Sequence, residues 1–124
     1  MDTNEYLAKV KEIVKGDSYT FRRVAPRMVF ADGCTLSVQV SSTHYCVPRR
    51  DDAHHYYEVE VGFPEGFEMP ASFDEHRDGD SHVWGYVPTD EIDALIEQHG
   101  GIVGAQTYKA NPDGGKAIPE IEMF

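Results

Sequence analysis

Apolar and polar residues alternate most cleanly between positions 34 and 41. Cys34, Leu36, Val38 and Val40 fall on one face of an extended chain, and Thr35, Ser37, Gln39 and Ser41 on the other. That is the pattern of a half-buried antiparallel strand. The run Met28–Ala31 precedes it across Asp32-Gly33, and Asp-Gly between two β-rich runs predicts a tight hairpin with both turn residues at positive φ. A second alternation runs from Tyr56 to Phe63. Here Tyr57, Val59, Val61 and Phe63 are expected inward, and Tyr56, Glu58 and Glu60 outward. Val83–Val87 reads as a further strand, Ile102–Lys109 as an edge strand, and Tyr19, Phe21 and Val24 as a short run that Pro26 interrupts.

Two stretches change period. Leu7, Val10 and Val14, with Tyr6 and Ile13 beside them, recur at helical spacing, and Asp2 with Glu5 has the spacing of a capping box. The spacing predicts a helix over 3–15 that stops at Gly16. A second helix is expected over 90–99, with acids in its first turn, Ile92, Leu95 and Ile96 on its apolar face, and Gly100-Gly101 as its stop. Residues 42–55 and 64–81 read as connections, and 110–124, rich in turn formers, as a loosely held or extended tail. The expected architecture is α+β: one domain over 1–124, with a curved antiparallel sheet of four to five strands and both helices on one face.

At 124 residues the chain can bury one core. No apolar run approaches the roughly 18 residues of a membrane span, and the N-terminus lacks the apolar centre of a signal peptide. A cytoplasmic setting follows as the expectation, with Cys34 and Cys46 as free thiols. Charge changes the picture more. The formal net charge is −11, and residues 51–97 alone hold fourteen acids against a single base, Arg77. Such a chain repels nucleic acid and anionic lipid, and its natural partners are basic surfaces.

No nucleophile elbow, phosphate-binding glycine loop or kinase element is present, so binding is favoured over catalysis and no cofactor is expected. The run Asp74–His82 fails as a calcium loop, because Gly85 stands where a bidentate Glu is needed. His44, Cys46, His54, His55 and His82 would supply a metal site if the connecting loop folded back, although they match no recognised ligand spacing. Cys34 is expected to act as a small buried hydrophobe. For a partner, the candidate surface comprises Asp51, Asp52, Tyr56, Glu58, Glu60, Asp74, Glu75, Asp78 and Asp80, carboxylates around aromatic rings that suit Arg and Lys side chains.

The runs MVFADGCTLSVQVSSTHYCVPR, YEVEVGFP and VWGYVPTDEIDALIEQHGGI, within residues 28–102, resemble small bacteriophage and prophage accessory proteins. The resemblance transfers no residue role. It implies a setting, the bacterial host cytoplasm, in which small acidic proteins often inhibit host defence, CRISPR inhibitors that mimic DNA among them. Three functions follow as expectations. The first is an inhibitor that blocks a basic, nucleic-acid-handling surface of a host defence complex such as a CRISPR-type nuclease. The second is a metal-binding domain or metal-dependent hydrolase using the His/Cys set. The third is a phage structural or assembly protein. The exposed edge at 102–108 would also offer a homodimer contact.

Overall fold

The computed structural model describes residues 1–13 and 24–124. In chain order the elements are α1 (Thr3–Ile13), β1 (Arg27–Phe30), β2 (Thr35–Gln39), β3 (Glu58–Glu65), a 3-10 turn (Ala71–His76), β4 (Val83–Pro88), α2 (Thr89–Gln98), β5 (Ile102–Lys109) and β6 (Ile118–Met123). Among the described residues the strands form one sheet in the order β4-β3-β2-β1-β5-β6, and every neighbouring pair is antiparallel. The fold is α+β as expected, with six strands in place of four to five.

The core follows from the alternation. Register pairs Met28 with Leu36 and Ala105, and Val38 with Val61, so one face of the sheet is a continuous apolar layer. Tyr6, Leu7 and Val10 of α1 and Ile92, Leu95 and Ile96 of α2 belong to the same core cluster. The capping box forms as read: Glu5 N–H donates to Asp2 Oδ1 at 2.8 Å and Asp2 N–H to Glu5 Oε1 at 3.0 Å. Thr3, fully buried, ties the helices together by donating its N–H and Oγ1–H to Asp93 Oδ1 at 2.8 and 2.5 Å.

The other face is polar but covered. Thr35 and Gln39 of β2, and Ser41 just beyond it, are buried. The Arg27 guanidinium donates to Thr35 Oγ1 at 3.1 and 2.9 Å and to the Phe63 carbonyl, while Gln39 exchanges two hydrogen bonds with the Ala25 backbone. Buried polar groups tolerate this position because they are paired.

Several expectations need correction. The β1–β2 turn is a three-residue loop, Ala31-Asp32-Gly33, in which Gly33 alone has positive φ. Gly33 N–H reaches Phe30 O at 3.0 Å, the type I turn with a following left-handed residue. Tyr56 and Tyr57 exchange roles, because β3 begins only at Glu58, two residues later than expected, and leaves both tyrosines outside its regular alternation: Tyr56 is 5% exposed and Tyr57 65%. Phe63 turns outward at φ 50, where β3 carries one residue more than β2 between the Thr35–Glu65 and Ser37–Gly62 pairs. Segment 110–124, expected as a loosely held or extended tail, is extended over Ile118–Met123 and, beyond that expectation, paired there as β6, which covers β5 along Gly104–Lys109. The expected exposed edge at 102–108 is therefore taken. Phe124 anchors the end by donating its N–H to Val103 O at 2.9 Å, with its ring 6.1 Å from that of Tyr6. The expected helix end at 14–16 and the Tyr19–Phe21 run lie outside the described residues.

A Cβ at Gly104 would sit 2.5 Å from Glu122 O, so β5 and β6 approach this closely only because position 104 has no side chain. Gly104→Ala is expected to speed amide exchange in residues 118–123 by at least about tenfold while β2 and β3 stay protected. Unchanged exchange in 118–123 would show that the contact does not hold β6.

Candidate functional site

At the β4 edge of the sheet, β4 carries one residue more than β3 between the Val61–Trp84 and Val59–Val87 pairs. The extra length lets Trp84 and Val87 both face the core, and it places Tyr86 at φ 54 with its side chain exposed. Residues 44–47 cross the polar face of the sheet to reach this bulge. Glu60 holds the crossing: its Oε1 accepts the Tyr45 N–H at 3.2 Å, and its Oε2 lies 4.0 Å from His44 Nε2. Tyr86 N–H donates to Tyr45 O at 2.9 Å, and the two rings lie 5.7 Å apart. Gly85 permits the approach, since a Cβ there would be 2.9 Å from Tyr45 Cβ.

Tyr45, Gly85 and Tyr86 share a cleft of about 320 Å³ with Glu75, His76 and Asp78. The carboxylates of Glu75 and Glu91 lie 3.5 and 3.8 Å from His76 Nε2. Arg77, the one base of the acidic stretch, turns away: its guanidinium lies 5.3 Å over the Trp84 ring and its Nε donates to Ser81 O at 2.9 Å. Among the described residues Trp84 Nε1 is buried with no acceptor, so polar pairing along this edge is incomplete there. Arg49, from the crossing loop, lies 5.8 Å over the Tyr45 ring, so one guanidinium already rests against this aromatic pair.

The expected partner surface is split. Asp74, Glu75, Asp78 and Asp80 are exposed around the 3-10 turn and the loop after it. Asp51 and Asp52 line a different cleft, about 390 Å³, with Leu7, Val10, Lys11 and Val24, and Asp51 Oδ1 accepts the Ser42 N–H at 2.8 Å. Glu58 is half-buried in the ladder and Glu60 is occupied by Tyr45. Tyr56 is withdrawn from the surface altogether, donating its hydroxyl to Arg50 O at 2.6 Å. Its burial raises its pKa. Tyr45 and Tyr86, which the sequence reading passed over, supply the exposed rings instead.

The expected His/Cys set does not converge. Cys46 is fully buried, with the Ser41 and Pro48 carbonyl oxygens each 3.3 Å from its sulfur and within reach of its single S–H, and burial pushes its pKa up. His44 Nδ1 bonds Ser41 Oγ at 2.6 Å, His55 packs on Tyr57, and His82 packs beside Phe63. Among the described residues, a single group of potential metal donors comes together: Asp32, Cys34 and His99, with one donor atom from each all within 4.8 Å of one another.

Two chain reversals build that group. Gly100 and Gly101, at φ 87 and 98, close α2 by donating to Glu97 O at 3.1 Å and Ile96 O at 2.9 Å. Ala31 N–H then bonds Gly101 O at 3.0 Å, which sets the β1–β2 turn against the helix end. His99 Nδ1 lies 2.6 Å from Asp32 Oδ2, and Cys34 N–H donates to Asp32 Oδ1 at 3.0 Å. Both contacts favour the ionised carboxylate, which lowers the Asp32 pKa, the Cys34 amide contributing most. Burial, with the Asp32 carboxylate beside it, pushes the Cys34 thiol up. That thiol faces a carboxylate that already serves His99, so this is not an activated nucleophile.

No family model matches the chain, and neither does any curated protein or solved structure. Among the described residues no helix is long and apolar enough to cross a membrane.

A carboxyl held below its usual pKa contributes stability that is full above the unfolded value, near 4, and is lost as pH falls through the lower folded value. The melting-temperature gap between the parent and Asp32→Ala is therefore expected to hold near pH 5 and to narrow below about pH 4. A gap that stays constant down to about pH 2 would contradict the pairing.

Proposed function

We propose that this chain is a binding protein whose acid-and-aromatic cleft at the β4 edge receives Arg and Lys side chains of a basic, nucleic-acid-handling protein surface. The observation that carries the proposal is the exposed Tyr45–Tyr86 pair sharing its cleft with Glu75 and Asp78, with Arg77 folded back onto Trp84. A guanidinium entering this cleft stacks on a ring and pairs bidentately with a carboxylate, which a lysine does less well. Asp74 and Asp80 extend the negative field beyond the cleft, and the net charge of −11 steers a basic partner toward the molecule. The phage-type setting that the sequence resemblance implies makes a host defence complex, a CRISPR-type nuclease included, the partner class of choice. Occupying such a groove would block its nucleic acid by competition, in the bacterial cytoplasm.

The test is a fourfold reversal, Asp74→Lys, Glu75→Lys, Asp78→Lys and Asp80→Lys, at exposed positions where folding should survive and circular dichroism can confirm it. Capture of nucleic-acid-binding proteins from a bacterial host lysate is expected to weaken at least tenfold in the variant. The parent's capture should also fall as salt rises from about 50 to 200 mM, where screening shortens the reach of surface charge. Equal capture by the folded variant would overturn the proposal.

A further inference from the structure

The Asp32–Cys34–His99 group takes no part in the acidic cleft, and its chemistry is different. Its donors are a carboxylate oxygen, a thiol sulfur and an imidazole nitrogen, supplied by the β1–β2 turn, the residue just before β2 and the residue that caps the end of α2. This mixed N/O/S set suits zinc and its chemical neighbours, which take four ligands. Calcium and magnesium need six or more oxygens, which the cluster does not offer.

Three features of the surroundings favour a cation here. The His99 ring is clamped between Phe30, stacked at 4.9 Å, and Phe67 at 4.5 Å, which fixes its orientation as the supporting residues of a metal site do. Gly66 lets the backbone close over the sulfur, since a Cβ there would meet Cys34 Sγ at 2.9 Å. The cluster also sits at the carbonyl end of α2, whose partial negative charge favours cations and whose last turn holds no basic residue.

We propose that Asp32, Cys34 and His99 bind one zinc-class divalent cation through oxygen, sulfur and nitrogen, leaving a fourth position open to solvent or to a ligand. On loading, Cys34 gives its thiol proton to solvent, and the imidazole proton shared with Asp32 moves to the other ring nitrogen. A neutral imidazole therefore yields one proton released per metal bound.

Cobalt(II) is the probe. Untagged, reduced, chelator-stripped protein titrated with cobalt is expected to develop a thiolate-to-metal charge-transfer band and tetrahedral visible absorption, saturating at one equivalent and displaced by zinc. Cys34→Ser should abolish the charge-transfer band and weaken zinc binding at least about a hundredfold, and His99→Gln should weaken it at least about tenfold. Cys46→Ser, at the buried thiol outside the cluster, should leave both unchanged. Zinc should raise the melting temperature of the parent and not of Cys34→Ser, and circular dichroism of the metal-free variants separates lost binding from lost folding. No charge-transfer band at stoichiometric cobalt, or a band that survives Cys34→Ser, would overturn the site and leave the cluster as a hydrogen-bonded turn.

Discussion

The sheet keeps an unbroken apolar face across β3 and β4 only because β4 takes in one extra residue. Val61 meets Trp84 and Val59 meets Val87, and without the bulge one of the two β4 side chains would leave the core. The consequence falls on Gly85 and Tyr86. Tyr86 sits at φ 54, a conformation that costs a bulky residue on the order of 1–3 kcal/mol unless its surroundings hold it. What holds it is the crossing loop, through the Tyr86 N–H bond to Tyr45 O and the ring contact at 5.7 Å. Core continuity, backbone strain and an exposed aromatic pair are thus one feature seen from three sides.

The same logic operates twice more. The β3 bulge sends Phe63 outward, and its carbonyl accepts from the Arg27 guanidinium that covers Thr35. At the far end of α2, the helix stop and the β1–β2 turn are locked by the Ala31–Gly101 bond, which places His99 against Asp32. In each case a reversal or irregularity, not a regular strand, positions the polar side chains. Free polar side chains collect at such places because regular elements already commit their backbone groups and faces to the ladder and the core.

How much of this was legible in the sequence follows from the range of each signal. The capping box, the β2 strand and the Gly100-Gly101 stop are local patterns and form where the spacing puts them, although β2, expected half-buried, is covered on both faces. Local alternation puts Tyr56 and Tyr57 out of phase because β3 starts only at Glu58, where it bridges Val47 from a loop eleven residues upstream. Tyr45 and Tyr86 meet only through the bulge, which no alternation announces. Cys34 and His99 lie 65 positions apart, one read as strand interior and the other as helix end. A His at a Gly-Gly helix stop and an Asp-Gly-Cys turn were the visible hints, but their juxtaposition depends on sheet order. The His/Cys set near Cys46 was misleading for the opposite reason: closeness in sequence did not survive burial of the thiol.

The central claim is that the β4-edge cleft takes a guanidinium. The most direct measurement is a two-dimensional NMR titration of the labelled protein with a short arginine-rich peptide at low salt. Chemical-shift changes are expected to concentrate at Tyr45, Glu75, His76, Asp78, Gly85 and Tyr86, to saturate, and to be weaker with the lysine analogue. Shifts spread evenly over all exposed acids, or centred on Asp51 and Asp52 with Tyr45 and Tyr86 unmoved, would contradict it.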